Sequence, residues 1–380
     1  MRIIINQADM ARALGRVGRV VMFRGAINPA LAGVLIEASK GMIRLSATDL
    51  ETAVRVAVPA ETNGRGRALV SYRSLADLVA LLSGELVLEA AADGPALGIS
   101  SGSGRAELAA MKLDDFPEIE FPGEEERLLA LPGETLRGMA RHALLAVGGD
   151  TSPSRMVLTG ARLRVAAGKI TLVASDGVRV AMASADGLPE GIADLEVVLP
   201  RPVLDEAARQ DEELVTVVAN DRLVGMVSGG VGVCSRRFTD GYPTVEDYLD
   251  KEYPVQFAVG GGDLVAALER VMVVARTVET RPVGVSLDGG ALVLTAEAPA
   301  VGSVTERIPL VGDPPAGALD AKFNTAYLLA GARGCAALEA CPVCWSGTGE
   351  TPGAGQLRLG LDGALYWALP MRAQRSATHG

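Results

Sequence analysis

Gly41-Met-Ile-Arg-Leu-Ser-Ala-Thr-Asp49 decides how this chain is read, because it returns 127 residues later as Gly168-Lys-Ile-Thr-Leu-Val-Ala-Ser-Asp176. A worn third copy stands 122 residues further on, as Gly290-Ala-Leu-Val-Leu-Thr-Ala-Glu297. Each copy is a turn glycine followed by alternating apolar residues, the pattern of a strand with one buried face. Other landmarks keep the period. Amphipathic helices are predicted at Gln7–Arg19, Glu134–Leu145 and Asp263–Arg276, and a second helix follows in each third at Ser74–Leu82, Pro202–Arg209 and Thr325–Ala332. Asp115-Phe-Pro117 and Gly241-Tyr-Pro243 lie 126 apart. Echoes that stay in register imply triplication.

Between the helices run short β-rich stretches such as Glu85–Ala90, Glu213–Val218 and Gln356–Leu361, separated by Gly and Asn/Asp turns. Two helices per repeat cannot cover both faces of that much sheet. The expected class is therefore α+β: three repeated domains, each with two helices packed on one side of antiparallel sheets. The domains are expected at 1–125, 126–252 and 253–380, the first boundary marked by an acidic Gly-Glu-Glu-Glu run. Asp263 is placed to cap the free amides of a first helical turn.

The 380 residues are 49% hydrophobic and 22% charged, which suits a folded globular chain. No run of about 18 apolar residues exists, and the start lacks a secretory pattern. Cys234, Cys335, Cys341 and Cys344 make no disulfide framework. A reduced, cytoplasmic protein with no membrane contact is expected. With only His142 and His379 present, no metal or cofactor is expected either. A net charge of −10 argues against holding nucleic acid by bulk attraction. It does not exclude arginines gathered on one surface. Arg12, Arg16 and Arg19 share a helix face opposite Met10, Leu14 and Val17, the matching helices carry Arg137, Arg141 and Arg270, and acidic residues gather in loops.

At this point a resemblance becomes specific. Ala47-Thr-Asp-Leu-Glu51, Val173-Ala-Ser-Asp-Gly-Val-Arg179, Phe323-Asn324 with Tyr327, and the ending Leu369-Pro-Met-Arg372 resemble the bacterial replicative sliding clamp, the β subunit of the DNA polymerase holoenzyme. The resemblance implies a non-enzymatic processivity factor, a head-to-tail homodimer forming a ring around double-stranded DNA with its helices lining the hole. Partners would be the replicative DNA polymerase, the clamp loader and other proteins carrying a clamp-binding peptide. By family position Arg24 is a DNA contact; Arg12, Arg16, Arg137, Arg141 and Arg270 are added from their helix faces. The stretch Ser152–Val157 departs from the family at another DNA-contact position. The peptide cleft would comprise Leu158, Ser175, Gly177, Val178, Arg179, Val180 and Pro243, with Asn324, Tyr327, Leu369, Pro370, Met371 and Arg372 on the third-domain side. The subunit contact would pair edge strands of the first and third domains, through Ala106 and Leu108 against Val273 and Val274. Ala106 replaces a large aromatic, implying a smaller contact and a ring easier to open, and Val178 departs from the usual polar or aromatic residue.

Two other motifs lead elsewhere. Gly98-Ile-Ser-Ser-Gly102 matches a hydrolase serine motif, but that motif needs a strand-to-helix turn and a histidine base. Here another strand follows, so a hydrolase using Ser100 is the lesser alternative. Cys341-Pro-Val-Cys344 lacks a second ligand pair and reads as a strand with buried thiols. There is no phosphate loop, so a separate loader must supply any nucleotide hydrolysis. A specialised clamp-like paralogue is the subtler alternative.

Overall fold

The glycine-led stretch is a strand in every copy. Met42–Thr48, Lys169–Ser175 and Ala291–Ala298 each follow a glycine (Gly41, Gly168, Gly290) at φ of +78°, +74° and +79°, a conformation that a Cβ would penalise. Alternation becomes burial. Ile43, Leu45 and Ala47 are fully buried, while Met42 and Arg44 face outward. In the adjoining strand Gly33–Ser39, Val34 and Ile36 are fully buried and Glu37 faces the other way. One face of these strands is thus buried while Met42, Arg44 and Glu37 look the other way, as antiparallel sheets allow.

The computed structural model describes residues 1–22, 28–91, 94–102, 104–149, 153–187, 192–245, 251–347, 355–361 and 363–371. Arg24, Ser152 and Arg372 lie outside them. The described helices are α1 (Gln7–Val17), α2 (Tyr72–Leu81), α3 (Gly133–Ala143), α4 (Arg201–Ala207), α5 (Gly261–Ala275) and α6 (Thr325–Gly334). All six predicted helices are present, with ends shifted by a few residues. Asp263 does not cap. Helix α5 starts at Gly261 with Gly260 as its cap residue and no side-chain cap bond, because Gly260 and Gly261 continue the turn one step earlier. Asp263 sits inside the first turn, where its charge still complements the helix dipole.

The chain forms two compact bodies, residues 1–136 with 205–237 and residues 137–204 with 238–380. In the first, thirteen described strands form a continuous antiparallel sheet, and Met10, Leu14 and Val17 of α1 and Leu75 and Val79 of α2 are buried in the helix layer. Within it, strand Thr52–Pro59 of the first repeat pairs with Val231–Arg236, the last strand of the second. The second body holds an eight-stranded and a four-stranded sheet. There Arg179–Ala185 of the second repeat pairs with Ala364–Ala368, the last strand of the third. The two junctions use the same strands of the repeat in the same orientation. Such pairing divides the second repeat between the bodies.

Candidate partner-binding cleft

The stretch Ser175–Val180 builds the cleft from a turn that its own side chains tie. Asp176 Oδ1 accepts the backbone N–H groups of Val178 and Arg179, both at 3.0 Å, while Gly177 N–H reaches Ser175 Oγ at 3.1 Å. Ser175 Oγ in turn donates to the Arg179 carbonyl at 3.0 Å. Gly177 takes φ +88° at the tip, with nothing within 4 Å of where a Cβ would be. The first repeat ties the same knot: Asp49 Oδ1 accepts Glu51 and Thr52 N–H, and Leu50 N–H reaches Thr48 Oγ1. There Leu50 occupies the tip at φ +78°, 54% exposed.

The third-repeat side is fastened to this turn through the backbone. Leu369 N–H donates to the Val178 carbonyl at 2.9 Å, and Met371 N–H to the Lys322 carbonyl at 2.7 Å. Asn324 caps α6 through its side chain, accepting Ala326 N–H at 2.9 Å, which sets Tyr327 in the first turn. The Arg179 guanidinium lies 4.5 Å over the Tyr327 ring and donates from Nε to Asp176 Oδ2 at 2.8 Å. It also bonds the Tyr366 hydroxyl, whose proton goes to the Tyr327 carbonyl at 2.8 Å. Burial works against the Arg179 charge, but Tyr366 and Asp176 outweigh it and hold its pKa above the usual arginine value.

Beneath the turn, Val173, Val180, Val245, Leu365 and Trp367 form a buried apolar floor with Met182 against it. Tyr242 Oη accepts Ser175 N–H at 2.8 Å and is buried enough to push its pKa up to about 12. Pro243 follows it, exposed. Leu158 is half-buried; its carbonyl accepts Gly148 N–H, and Gly148 lies against Asp176. Around the turn stand one exposed valine (Val178, 40%), one fixed guanidinium (Arg179) and the backbone-bonded Leu369.

The arginines have mixed surroundings. Arg12 is 76% exposed and pairs with Asp9. Arg16 donates to Glu206 of α4 at 3.1 Å, and Arg19 pairs with the same carboxylate, which is only 4% exposed. Arg137 is half-buried and Arg141 exposed. Arg270 is exposed and held bidentate by Glu306 at 2.7 and 2.8 Å; that hydrogen bond raises the arginine pKa and lowers the carboxylate's.

Residues 1–120 match the family described as DNA polymerase III beta subunit, N-terminal domain. Over 299 residues the chain is 30% identical to a beta sliding clamp of a Synechocystis species, covering 72% of this chain and 75% of the relative. The chain belongs to the beta sliding clamp family. The likeness continues with the Streptomyces coelicolor beta sliding clamp, 29% identical across 87% of this chain and 88% of that one. Among solved structures, a sliding clamp from Bartonella birtlesii, bound to griselimycin, is 25% identical with a TM-score of 0.84, covering 98% of this chain and all of that one. The fold also matches the Streptococcus pyogenes beta subunit, at a TM-score of 0.86. This protein is thus a DNA sliding clamp, a processivity factor and not a catalyst, and the family works on DNA with a DNA polymerase as a ring-forming homodimer.

Several of the clamp's site residues escape sequence reading. Asp176 left a signal, since it repeats Asp49 and both lead a turn, but Tyr366 and Trp367 left none because they join only when the Arg179 and Ala364 strands pair. The edge-strand expectation needs one correction. Val273 and Val274 lie on helix α5, not on a strand, and Val274 is 9% exposed, turned into its own core. Among the described residues Gly302–Pro309 is one edge strand of the four-stranded sheet, and Asp320–Asn324 is the other. Ser100 lies in strand Ala96–Ser101, followed by strand Gly104–Met111, and the described thiols are all buried and unbridged. Among the described residues no helix is long and apolar enough to cross a membrane.

Proposed function

We propose that this clamp takes the clamp-binding peptides of the replicative polymerase, the clamp loader and other partners at the Val178–Arg179 turn. Leu158, Ser175, Gly177, Val180, Pro243, Asn324, Tyr327, Leu369, Pro370, Met371 and Arg372 surround the peptide, and the repeats 1–125, 126–252 and 253–380 act as three domains. The observation that carries this reading is the backbone bond from Leu369 to Val178 beside the Arg179–Tyr327 stack, which fixes a greasy surface next to one oriented donor. The test is fluorescence polarisation with a labelled clamp-binding peptide. Met371→Ala should weaken it at least about tenfold, a loss of about 1.4 kcal/mol, while Ser100→Ala leaves it unchanged. Equal affinity in Met371→Ala overturns the assignment.

The ring closes, on this reading, by the pairing already used twice inside the chain. Gly302–Pro309 corresponds to Thr52–Pro59 and Arg179–Ala185, and is bonded along one side only, to Ala291–Ala298. Gly104–Met111 corresponds to Val231–Arg236 and Ala364–Ala368, and its Gly104–Ala109 part is bonded only to Ala96–Ser101 among the described residues. Carrying the internal register over sets Gly302 against the partner subunit's Leu108 and Val304 against the partner subunit's Ala106. Exposed Val273 borders that seam. Arg12, Arg16, Arg137, Arg141 and Arg270, with Arg24, which lies outside the described residues, supply charge that reads phosphate without sequence. Arg16 shares the Glu206 carboxylate, Arg270 is held by Glu306 and Arg12 by Asp9.

A further inference from the structure

The outward face of the first repeat carries two adjoining cavities that neither peptide capture nor DNA retention uses. The first, about 380 Å³, is mostly polar where it is open: Arg55, Arg67, Ser46 and the carboxylates of Glu37, Asp114 and Glu118 line it together with Leu35, Leu113, Phe116, Pro117 and Ile119. The second, about 410 Å³, holds Arg44, Arg65 and Arg67. Glu37, Arg67 and Leu113 line both, so the two form one groove.

The repeat shows why space is left here. Ser46, Arg55 and Ile119 stand where Val173, Met182 and Val245 stand one period later. In the second repeat those three side chains pack into the buried floor with Trp367. The first repeat has a hydroxyl and a guanidinium instead, and the floor stays open. Arg55 lies 4.3 Å over the Phe121 ring, and its Nε is buried without a hydrogen-bond partner. Burial first, and then nearby Arg44, lower its pKa, so an anion or acceptor entering the groove would relieve it. The charges divide unevenly. The second chamber sets three arginines against Glu37 alone, 3.9 Å from Arg44. The first sets three carboxylates, hydrogen-bond acceptors only, against Arg55 and Arg67.

We propose that this groove binds a nucleotide-class small molecule, an amino-bearing aromatic ring in the first chamber, between Phe116, Arg55 and the carboxylates, and a diphosphate or longer tail among Arg44, Arg65 and Arg67. The ring's amino hydrogens suit the carboxylates, its faces suit Phe116 and the Arg55 plane, and guanidinium forks suit phosphate oxygens. Each chamber lies within the usual range of about 300–1,000 Å³ for ligand pockets.

The test is isothermal titration calorimetry of the full chain with ADP, adenosine and inorganic pyrophosphate. ADP should bind with a dissociation constant below about 1 mM, and adenosine and pyrophosphate each at least about tenfold more weakly. The exposed double variant Arg65→Glu/Arg67→Glu should lose at least about tenfold in ADP affinity. Arg55→Met, which installs the second repeat's residue, should abolish binding. Both variants should still be retained on circular DNA after loading, which separates this groove from clamp function and reports that they fold. No binding of ADP at about 1 mM overturns the proposal, as does unchanged affinity in the double variant. Pyrophosphate binding as tightly as ADP overturns the role of the first chamber.

Discussion

Arg179 is fixed by a ring beneath it, a carboxylate beside it and a phenol behind it, so its planar fork faces the cleft with little freedom left to lose. Lysine keeps the charge but neither stacks flat nor donates from a fixed Nε. Arg179→Lys should therefore weaken a labelled partner peptide by about tenfold, read by fluorescence polarisation, with little change in melting temperature. Gly177 shows the backbone side of the same turn. At φ +88° an L side chain costs about 1–2 kcal/mol. Gly177→Ala should lower the unfolding free energy in urea titration by less than that, because alanine removes about 0.5–1 kcal/mol of unfolded-state entropy. Leu50 already bears this strain at the equivalent tip, so Leu50→Gly should stabilise, by less than the strain relieved because glycine adds about 0.5–1 kcal/mol of unfolded-state entropy.

At the scale of elements, α1 and α4 are joined by one carboxylate. Glu206 is nearly inaccessible and answers both Arg16 and Arg19. Glu206→Gln removes the charge that two partly buried guanidinium groups lean on, and should cost about 1–3 kcal/mol of stability. The same change unmasks positive charge, so retention on circular DNA should survive to higher salt. Arg12→Ala should do the reverse, weakening salt-resistant retention without a measurable stability change, since its exposed pair with Asp9 is worth less than about 1 kcal/mol. Helix α3 supplies a pH effect. Burial lowers the His142 pKa, against the bond between its Nε2 and the Leu365 carbonyl at 2.8 Å. The unfolded chain takes up that proton near pH 6.5 and the folded chain only at lower pH. Stability should be level above about pH 7 and fall as pH drops below about 6.5. His142→Gln should flatten that fall in melting curves measured from pH 7 to 5.

For the whole molecule the proposed closure is by strand addition. A carboxylate at Val304 would be taken from water opposite the partner subunit's Ala106, at a cost exceeding about 2.7 kcal/mol. Val304→Asp should raise the dimer dissociation constant at least about 100-fold, seen by sedimentation velocity, and abolish retention on circular DNA. Ala106→Phe should act oppositely and tighten the dimer by about tenfold, because an aromatic there buries more apolar area. A wild-type dissociation constant unmoved by Ala106→Phe would remove the idea that this seam is thin.

By itself the sequence determined the repeat, its strands and helices, and which face of each is buried, because period-two and period-3.6 patterns and turn glycines act over a few residues. It also carried the cleft turn, since the Ser175 and Asp176 side chains and the Gly177 N–H bond to near neighbours. Only the tertiary structure decided what lies across from that turn. Tyr366 and Trp367 reach Arg179 and Val180 through a strand pair nearly two hundred residues apart, and no local rule fixes such a register. The arginines divided the same way. Spacing gave Arg16 and Arg19 a common face, but which carboxylate waits opposite depends on how α4 packs, and Glu206 takes both as a helix fastening.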